Sequence, residues 1–258
     1  MRYLILMCGR KRTGKETAFK TLRDLLLSKN PSLNIQEFQF STPLKKFCIE
    51  TLGLRWEHCY GSDQERESPT QYVWGDGYAA SLELCEKYGK KFGTPMSGRE
   101  VLQVVGTDLF RNLFSKDIWA KAGLRSAAES DADVAVFTDV RFENEIQASR
   151  EFPCFDKQLN IRLYRETGLE DSHNSESALD AWDFLPNQRR LNPETAHPDY
   201  TPVNLSPFYR TPYLLKSTTI DAFGSHRRFQ YLIDNNHSPS LLRQHLDSII
   251  AWEDLCQI

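Results

Sequence analysis

Six apolar residues in a row, Tyr3 to Cys8, precede the first glycine of the chain, and a short unbroken run of this kind predicts a buried strand. From Gly14 the period changes. Ala18, Leu22, Leu25 and Leu26 recur at three- and four-residue spacing, so a helix is expected to run until Asn30-Pro31 stops it. "IQEFQF" (35–40) alternates like a strand, and "PLKKFCIETL" (43–52) opens on a proline suited to a first helical turn. From 53 to 78 glycines, charges and aromatics mix without a period and predict only loop and short turns. Helices are expected over about 79–92, 98–114 and 116–129, the last with Asp117 near its start. "DVAVFTD" (133–139), "NIRLYR" (160–165) and "FQYLIDNN" (229–236) read as further buried strands. A helix from Glu143 to Glu151 follows the first of these. Another, 239–253, closes the pattern with Ser238 as cap and Pro239 in its first turn.

Strands separated by helices predict an α/β fold: parallel βαβ units in a doubly wound, mainly parallel sheet flanked by helices. The pattern fails between 166 and 228, which holds six of the twelve prolines (186, 193, 198, 202, 207 and 212). So long an interruption points to a lid or an inserted subdomain within one domain spanning 1–258. A net charge of −3 gives no general attraction to nucleic acid or to an anionic membrane. Six scattered cysteines without a C-x-x-C pair argue against a disulfide framework or zinc site and fit a reducing cytosol. No apolar run approaches membrane-spanning length, and the first strand is interrupted too soon for a signal peptide. A cytoplasmic protein without a membrane partner is expected.

The first strand ends in Gly9-Arg10-Lys11-Arg12-Thr13-Gly14-Lys15-Glu16, a G-x-x-x-x-G-K-E sequence at a strand-to-helix junction. This is the context a phosphate-binding loop requires. Glycines let backbone N–H groups curl around phosphate oxygens, the helix start adds positive potential, and Lys15 can reach the outer phosphates. Glu16 stands where a hydroxyl residue would offer its oxygen to Mg²⁺. Two readings stay open: a carboxylate that holds the metal directly or through water, with Thr17 one residue further on, or an acidic residue suited to a first helical turn.

A second constellation is "FTDVRFENE" (137–145), with Asp139 and Arg141 at the carboxyl end of a buried strand, where open α/β sheets place ligands. Arg141 offers a fork for phosphate, and Asp139 can accept a substrate proton or organise a metal. Arg99 and Gln103, four apart, share a helix face. Gly106 inside a helical pattern signals a break or a close backbone approach. His58 and His173 lack a metal-ligand spacing, and His173 among serines does not make a hydrolytic triad.

With these pieces in place, the chain resembles the bacteriophage deoxynucleoside monophosphate kinases, a branch of the P-loop nucleoside monophosphate kinase group. "GRKRTGKET" is similar to that family's phosphate loop, which also tends to carry an acidic residue after the lysine. "TPLKKF" resembles its early substrate-side helix, and "REVLQVVGTDLFRNLFSKDIW" and "TDVRFENE" are its most specific signatures. "DSHNSE" resembles the loop near its lid, and "LIDNNHSPSLLRQHL" its last strand and helix, which border the ATP base. The likeness covers about 1–52, 97–177 and 229–253, is weak over 55–92 and fails across 178–228.

The resemblance implies transfer of the ATP γ-phosphoryl to a deoxynucleoside monophosphate, with ATP and Mg²⁺ as cofactors. It implies a substrate-side helical segment over about 43–130 and a lid with insertion over about 166–228. Gly9, Arg12, Thr13, Gly14, Lys15, Glu16 and Thr17 would hold ATP and, at Glu16, the metal. Lys11, Lys45, Arg66, Arg99 and Arg141 would surround the acceptor phosphate. Gly106, Trp119, Asp139 and Glu145 would contact or frame the acceptor nucleotide, and Arg165 would cover the transferring phosphoryl as the lid closes. Lys15, Asp139, Arg141 and Arg165 form the expected catalytic set.

Two other readings are carried alongside. One is a related kinase acting on a modified base in phage DNA, for which Arg189, Arg190, Arg210, Arg227 and Arg228 could supply a basic approach. The other is a nucleotide-binding regulatory protein without turnover. Small-molecule nucleotides are the expected partners and nucleic acid is not. The oligomeric state stays open, a homodimer being the commonest soluble oligomer.

Overall fold

The computed structural model describes residues 1–76, 80–165, 200–202, 214–217 and 229–256. Most of the lid and insertion expected over 166–228, with His173 and the five arginines named above, lies outside these residues. The described chain divides into two compact units, 1–40 with 123–258 and 41–122.

The first unit is built on β1 (Tyr3–Cys8), whose six residues are all buried, followed by α1 (Lys15–Lys29) and β2 (Ile35–Phe38). Buried Ala18, Phe19, Leu22, Leu25 and Leu26 form one face of α1, as their spacing predicts. The second unit carries α2 (Thr42–Glu50), α3 (Trp56–Tyr60), α4 (Asp63–Arg66), β3 (Pro69–Val73), α5 (Ala80–Tyr88), β4 (Pro95–Ser97) and α6 (Gly98–Gln103). A π-helical stretch, Val104–Arg111, continues α6. The helix α7 (Ile118–Glu129) starts in the second unit and ends in the first, where β5 (Val134–Val140), α8 (Glu143–Arg150) and β6 (Lys157–Tyr164) follow. Strands β7 (Tyr200–Pro202), β8 (Leu214–Ser217) and β9 (Tyr231–Asp234) and helix α9 (Pro239–Trp252) complete the described elements.

Seven strands form one sheet in the order β2-β5-β1-β6-β9-β8-β7. The first five run parallel, and β8 and β7 add an antiparallel edge. The expected doubly wound, mainly parallel sheet is therefore present. Alternation sorts its faces. Tyr3, Ile5 and Met7 of β1, Val134 and Val136 of β5, and Leu159, Ile161 and Leu163 of β6 share a core with α1 and with Leu242, Leu246, Ile249 and Ile250 of α9. Each such side chain contributes about 1.5–3 kcal/mol when fully buried. On the other face Phe40 stacks on Phe137 at 4.2 Å between ring centres. A Cβ on Gly123 of α7 would come within 3.0 Å of Phe40 and 3.2 Å of Phe137, so a larger residue would push the rings apart. Arg2 closes the end of α7. Its guanidinium donates to the carbonyls of Ala127, Ala128, Ser130 and Ala132 at 2.9–3.0 Å, satisfying oxygens a helix end leaves without partners.

The second unit has its own core of Cys48, Leu54, Cys59, Trp74, Cys85, Met96, Val101, Val104 and Val105. Here the sequence reading needs correction. The stretch expected as loop, 53–78, holds α3, α4 and β3, with β3 paired antiparallel to β4. Helices of four or five residues leave no periodic stripe to read. Ser62 makes α4 visible only through its capping box with Glu65. The helix expected over 98–114 begins as α6, capped by Ser97, and turns into the π-helical stretch. Gly106 lies within this stretch: a Cβ there would meet Leu44 Cδ2 at 2.6 Å, so a larger residue would require the Leu44 side chain to shift. The helix expected over 79–92 ends at Tyr88, before Gly89 at φ 61°.

Candidate active site

Parallel pairing decides which loops meet in the first unit. Cys8 at the end of β1 stands beside Val140 of β5 and Arg162 of β6. The segments that follow at these carboxyl ends carry Gly9–Gly14, Arg141 and Arg165, with Asp139 just before Val140. This sheet edge therefore gathers the expected loop and the expected catalytic set.

The loop itself is tightly determined. Thr13 is buried, its hydroxyl donates to the Arg10 carbonyl at 2.9 Å, and its N–H donates to the same oxygen at 3.3 Å. A Cβ on Gly9 would meet the Thr13 hydroxyl at 2.5 Å and the Leu163 carbonyl at 2.8 Å. Gly14, the residue before α1, adopts φ 92° and ψ 22°. Arg12 takes a left-handed φ of 64°, a strained choice for a residue with a side chain. Lys15 Nζ folds back over the loop and donates to the carbonyls of Gly9 at 2.5 Å and Arg10 at 2.7 Å. A phosphate entering here replaces two carbonyl partners of the ammonium with charged oxygens, which form stronger hydrogen bonds.

Glu16 is exposed and accepts from Lys20 one turn on at 2.7 Å, and this bond holds its carboxyl below the usual range. Thr17 beside it is also exposed. Among the described residues no three His, Cys, Asp or Glu side chains form a cluster able to hold a metal by themselves. A nucleotide-borne Mg²⁺ asks for less, since it keeps waters and phosphate oxygens and takes one or two protein oxygens. Glu16 and Thr17 at the start of α1 fit that demand.

Asp139 Oδ1 accepts from the Phe40 N–H at 2.8 Å, tying the end of β5 to the chain leaving β2. Thr138 repeats the tie one residue earlier through Glu37 at 2.6 Å. Glu145 is buried, and its carboxylate caps α8 by accepting from the N–H groups of Arg141 at 2.7 Å and Phe142 at 3.0 Å. The bend that carries Arg141 is thus fixed by the residue four positions later. Arg165 is exposed.

In the second unit Lys45 lies over the ring of Tyr60, 4.4 Å from its centre. Arg66 pairs with Asp63 at 2.5 Å, and Arg99 pairs with Asp63 at 3.1 Å and with Glu67 at 2.5 Å. The structure brings these two expected arginines together, each already facing carboxylates. Trp119 donates its indole N–H to the Gly106 carbonyl at 3.0 Å and packs on Phe110. The expected pair Gly106 and Trp119 is therefore one local unit, joining the start of α7 to the π-helical stretch.

One residue was missed. Asn235, just past β9 and buried, donates its side-chain amide to the Thr13 carbonyl at 2.8 Å. "LIDNNHSP" reads from sequence as a strand end and a helix cap, and the pairing across 222 positions leaves no local trace.

A glycine loop with an inward lysine between the first strand and first helix of a doubly wound sheet is the architecture of the P-loop class. The family model for deoxynucleotide monophosphate kinase matches residues 76–183, a span that includes Gly106, Trp119, Asp139, Arg141, Glu145 and Arg165. The deoxynucleoside-5'-monophosphate kinase of Escherichia phage T5 is 26% identical over 216 residues, 70% of this chain and 86% of its own. A protein of Acanthamoeba polyphaga mimivirus, also named as a deoxynucleotide monophosphate kinase, is 30% identical over 191 residues, 68% of this chain and 81% of its own. A solved sugar kinase from Janibacter sp. HTCC2649 aligns over 98% of the chain at 10% identity, but its TM-score of 0.33 is too low to bear on fold or chemistry. The chain belongs to the deoxynucleotide monophosphate kinase family.

Proposed function

We propose that the protein transfers the γ-phosphoryl group of ATP to a deoxynucleoside 5'-monophosphate, giving the diphosphate and ADP. Its role would be to supply deoxynucleoside triphosphate precursors for phage DNA synthesis in the host cytoplasm. The observation that carries this reading is the Gly9–Gly14 loop with Lys15 turned into it, in a chain of this family.

An oxygen of the acceptor phosphate attacks the γ-phosphorus, and the bond to the β,γ-bridging oxygen breaks, so the electron pair leaves with ADP. The protein's task is positioning and charge neutralisation. Loop N–H groups and Lys15 hold the ATP phosphates. In the first unit Arg141 and Lys11 offer cations to the acceptor phosphate, and Asp139 fixes the strand end that presents Arg141. In the second unit Lys45, Arg99 and Arg66 are the cations proposed to bind phosphate, and Gly106 with Trp119 would frame a nucleotide. Arg165, at the end of β6, covers the transferring group and excludes water. Mg²⁺ supplies neutralisation of phosphate charge when bound, and Glu16 or Thr17 would hold it.

The test is ADP release from ATP and Mg²⁺ with each deoxynucleoside monophosphate offered separately, and with Lys15→Ala as control. Turnover with one or more acceptors, lost in the variant, is the expected result. ATP binding without turnover on any acceptor would overturn the proposal.

A further inference from the structure

Asn235 is held at both ends. Its backbone N–H donates to the Tyr164 carbonyl at 2.8 Å, carrying the β6–β9 ladder one residue past Asp234. Its side chain, in a residue only 8% exposed, donates to the Thr13 carbonyl at 2.8 Å. A Cβ on Gly14 would meet the same amide nitrogen at 2.4 Å, so loop and amide are in contact on two successive residues.

The Thr13 carbonyl and the Gly14 N–H belong to one peptide unit. In a trans peptide they point in opposite directions. A bond that fixes the carbonyl on Asn235 therefore fixes the direction of the Gly14 N–H. That support matters here, because left-handed backbone at Arg12 (φ 64°) and Gly14 (φ 92°) flanks Thr13. At Arg12 such a conformation persists only where its surroundings over-determine it.

We infer that Asn235 is a positioning residue for the phosphate loop, its amide holding the Thr13–Gly14 peptide so that the Gly14 N–H is presented to the phosphates of a nucleoside triphosphate. The inference rests on the reading of this loop as the phosphate site. It also explains the residue type. A carboxylate at 235 would set acceptor against acceptor beside an anion site, and an apolar side chain of similar size would leave the Thr13 carbonyl buried without its donor.

The test measures binding of ATP and of inorganic tripolyphosphate by calorimetry in the wild type, Asn235→Leu, Asn235→Asp and Lys15→Ala. Asn235→Leu should weaken both ligands about tenfold and Asn235→Asp about a hundredfold, with the KM of the acceptor monophosphate unchanged. Wild-type affinity for tripolyphosphate in both Asn235 variants, with affinity lost in Lys15→Ala, would sink the inference and leave the loop reading intact. Equal weakening of both substrates with a fall in Tm would mark a merely structural residue and also overturn it. A wild type that binds neither probe would overturn the loop reading, and this inference with it. If the variants do not fold, resonances of the wild type decide. A protected Asn235 side-chain amide and a Gly14 N–H that shifts on adding tripolyphosphate are expected, and an unprotected amide or an unmoved Gly14 would refute the inference.

Discussion

The phosphate loop of the first unit and the arginine cluster of the second hold their cations in opposite ways. In the loop, Lys15 rests on backbone carbonyls of a turn fixed by buried Thr13, buried Asn235 and two glycines where a Cβ would come within 2.5 Å of a neighbouring side chain. In the cluster, Arg99 meets Asp63 and Glu67 with all three side chains about half exposed. The first arrangement has a fixed shape and exchangeable partners of modest strength. The second has half-exposed side chains, with charged partners whose grip water screens. On the proposed reading a triphosphate would find its donors already aimed, whereas a phosphate bound by Arg66 and Arg99 would have to compete with two carboxylates.

The largest effect expected from breaking this contrast is at Lys15. Lys15→Ala should lower kcat/KM by on the order of a thousandfold in the ADP-release assay, since one cation on a transferring phosphoryl group is worth that much. A variant within tenfold of wild type would mean that Lys15 only closes the empty loop. Next comes the scaffold of the first unit. His245 of α9 is buried at 1% exposure, and that burial, with the charge of His237 adding to it, pushes its pKa down to about 4. An unfolded imidazole takes its proton near 6.5. Between these values the unfolded chain binds more protons, so stability is complete above about pH 6.5 and is lost as the pH falls towards 4. The loss should be on the order of 3 kcal/mol, read from urea unfolding at pH 7 and pH 4. His245→Leu should flatten that slope, and a slope unchanged in the variant would assign the acid sensitivity elsewhere.

Gly14→Ala should cost about 2–3 kcal/mol and lower the Tm by roughly 4–10 °C, because the new Cβ meets Asn235 on left-handed backbone. A Tm within a degree of wild type would show that the loop yields more easily than its contacts suggest. The smallest effect sharpens the contrast from the other side. Removing both carboxylates by Asp63→Asn with Glu67→Gln should lower the acceptor KM about two- to fivefold and leave the ATP KM alone, as exposed pairs are worth at most about 1 kcal/mol. An unchanged acceptor KM would separate Arg66 and Arg99 from the acceptor site.

What sequence could disclose follows the same division. β1, α1, β5 and α9 were legible because each buries a long apolar run or stripe whose period states the element. The loop was legible because its glycines and lysine are contiguous. In the second unit the short α3 and α4 have no stripe, β3 pairs with a strand more than twenty residues on, and the turn to π-helix at Val104 leaves the apolar period unbroken. The acidic partners of Arg66 and Arg99 went unremarked because Asp63 and Glu67 look like any solvated charges in a charge-rich stretch. Asn235 was hidden for a further reason: its partner is a backbone carbonyl, which leaves no mark in the identity of residue 13.

The place of β1 between β5 and β6 also has a consequence in time. The strand that launches the phosphate loop leaves the ribosome well before its parallel neighbours, which begin only at Val134 and Lys157. At about 5–20 residues per second, roughly 6 to 25 seconds pass before the first of them has been synthesised. Asn235, which holds the finished loop, comes later still. This apolar strand must therefore wait on the nascent chain, in need of protection, for a part of its own site that is made far later.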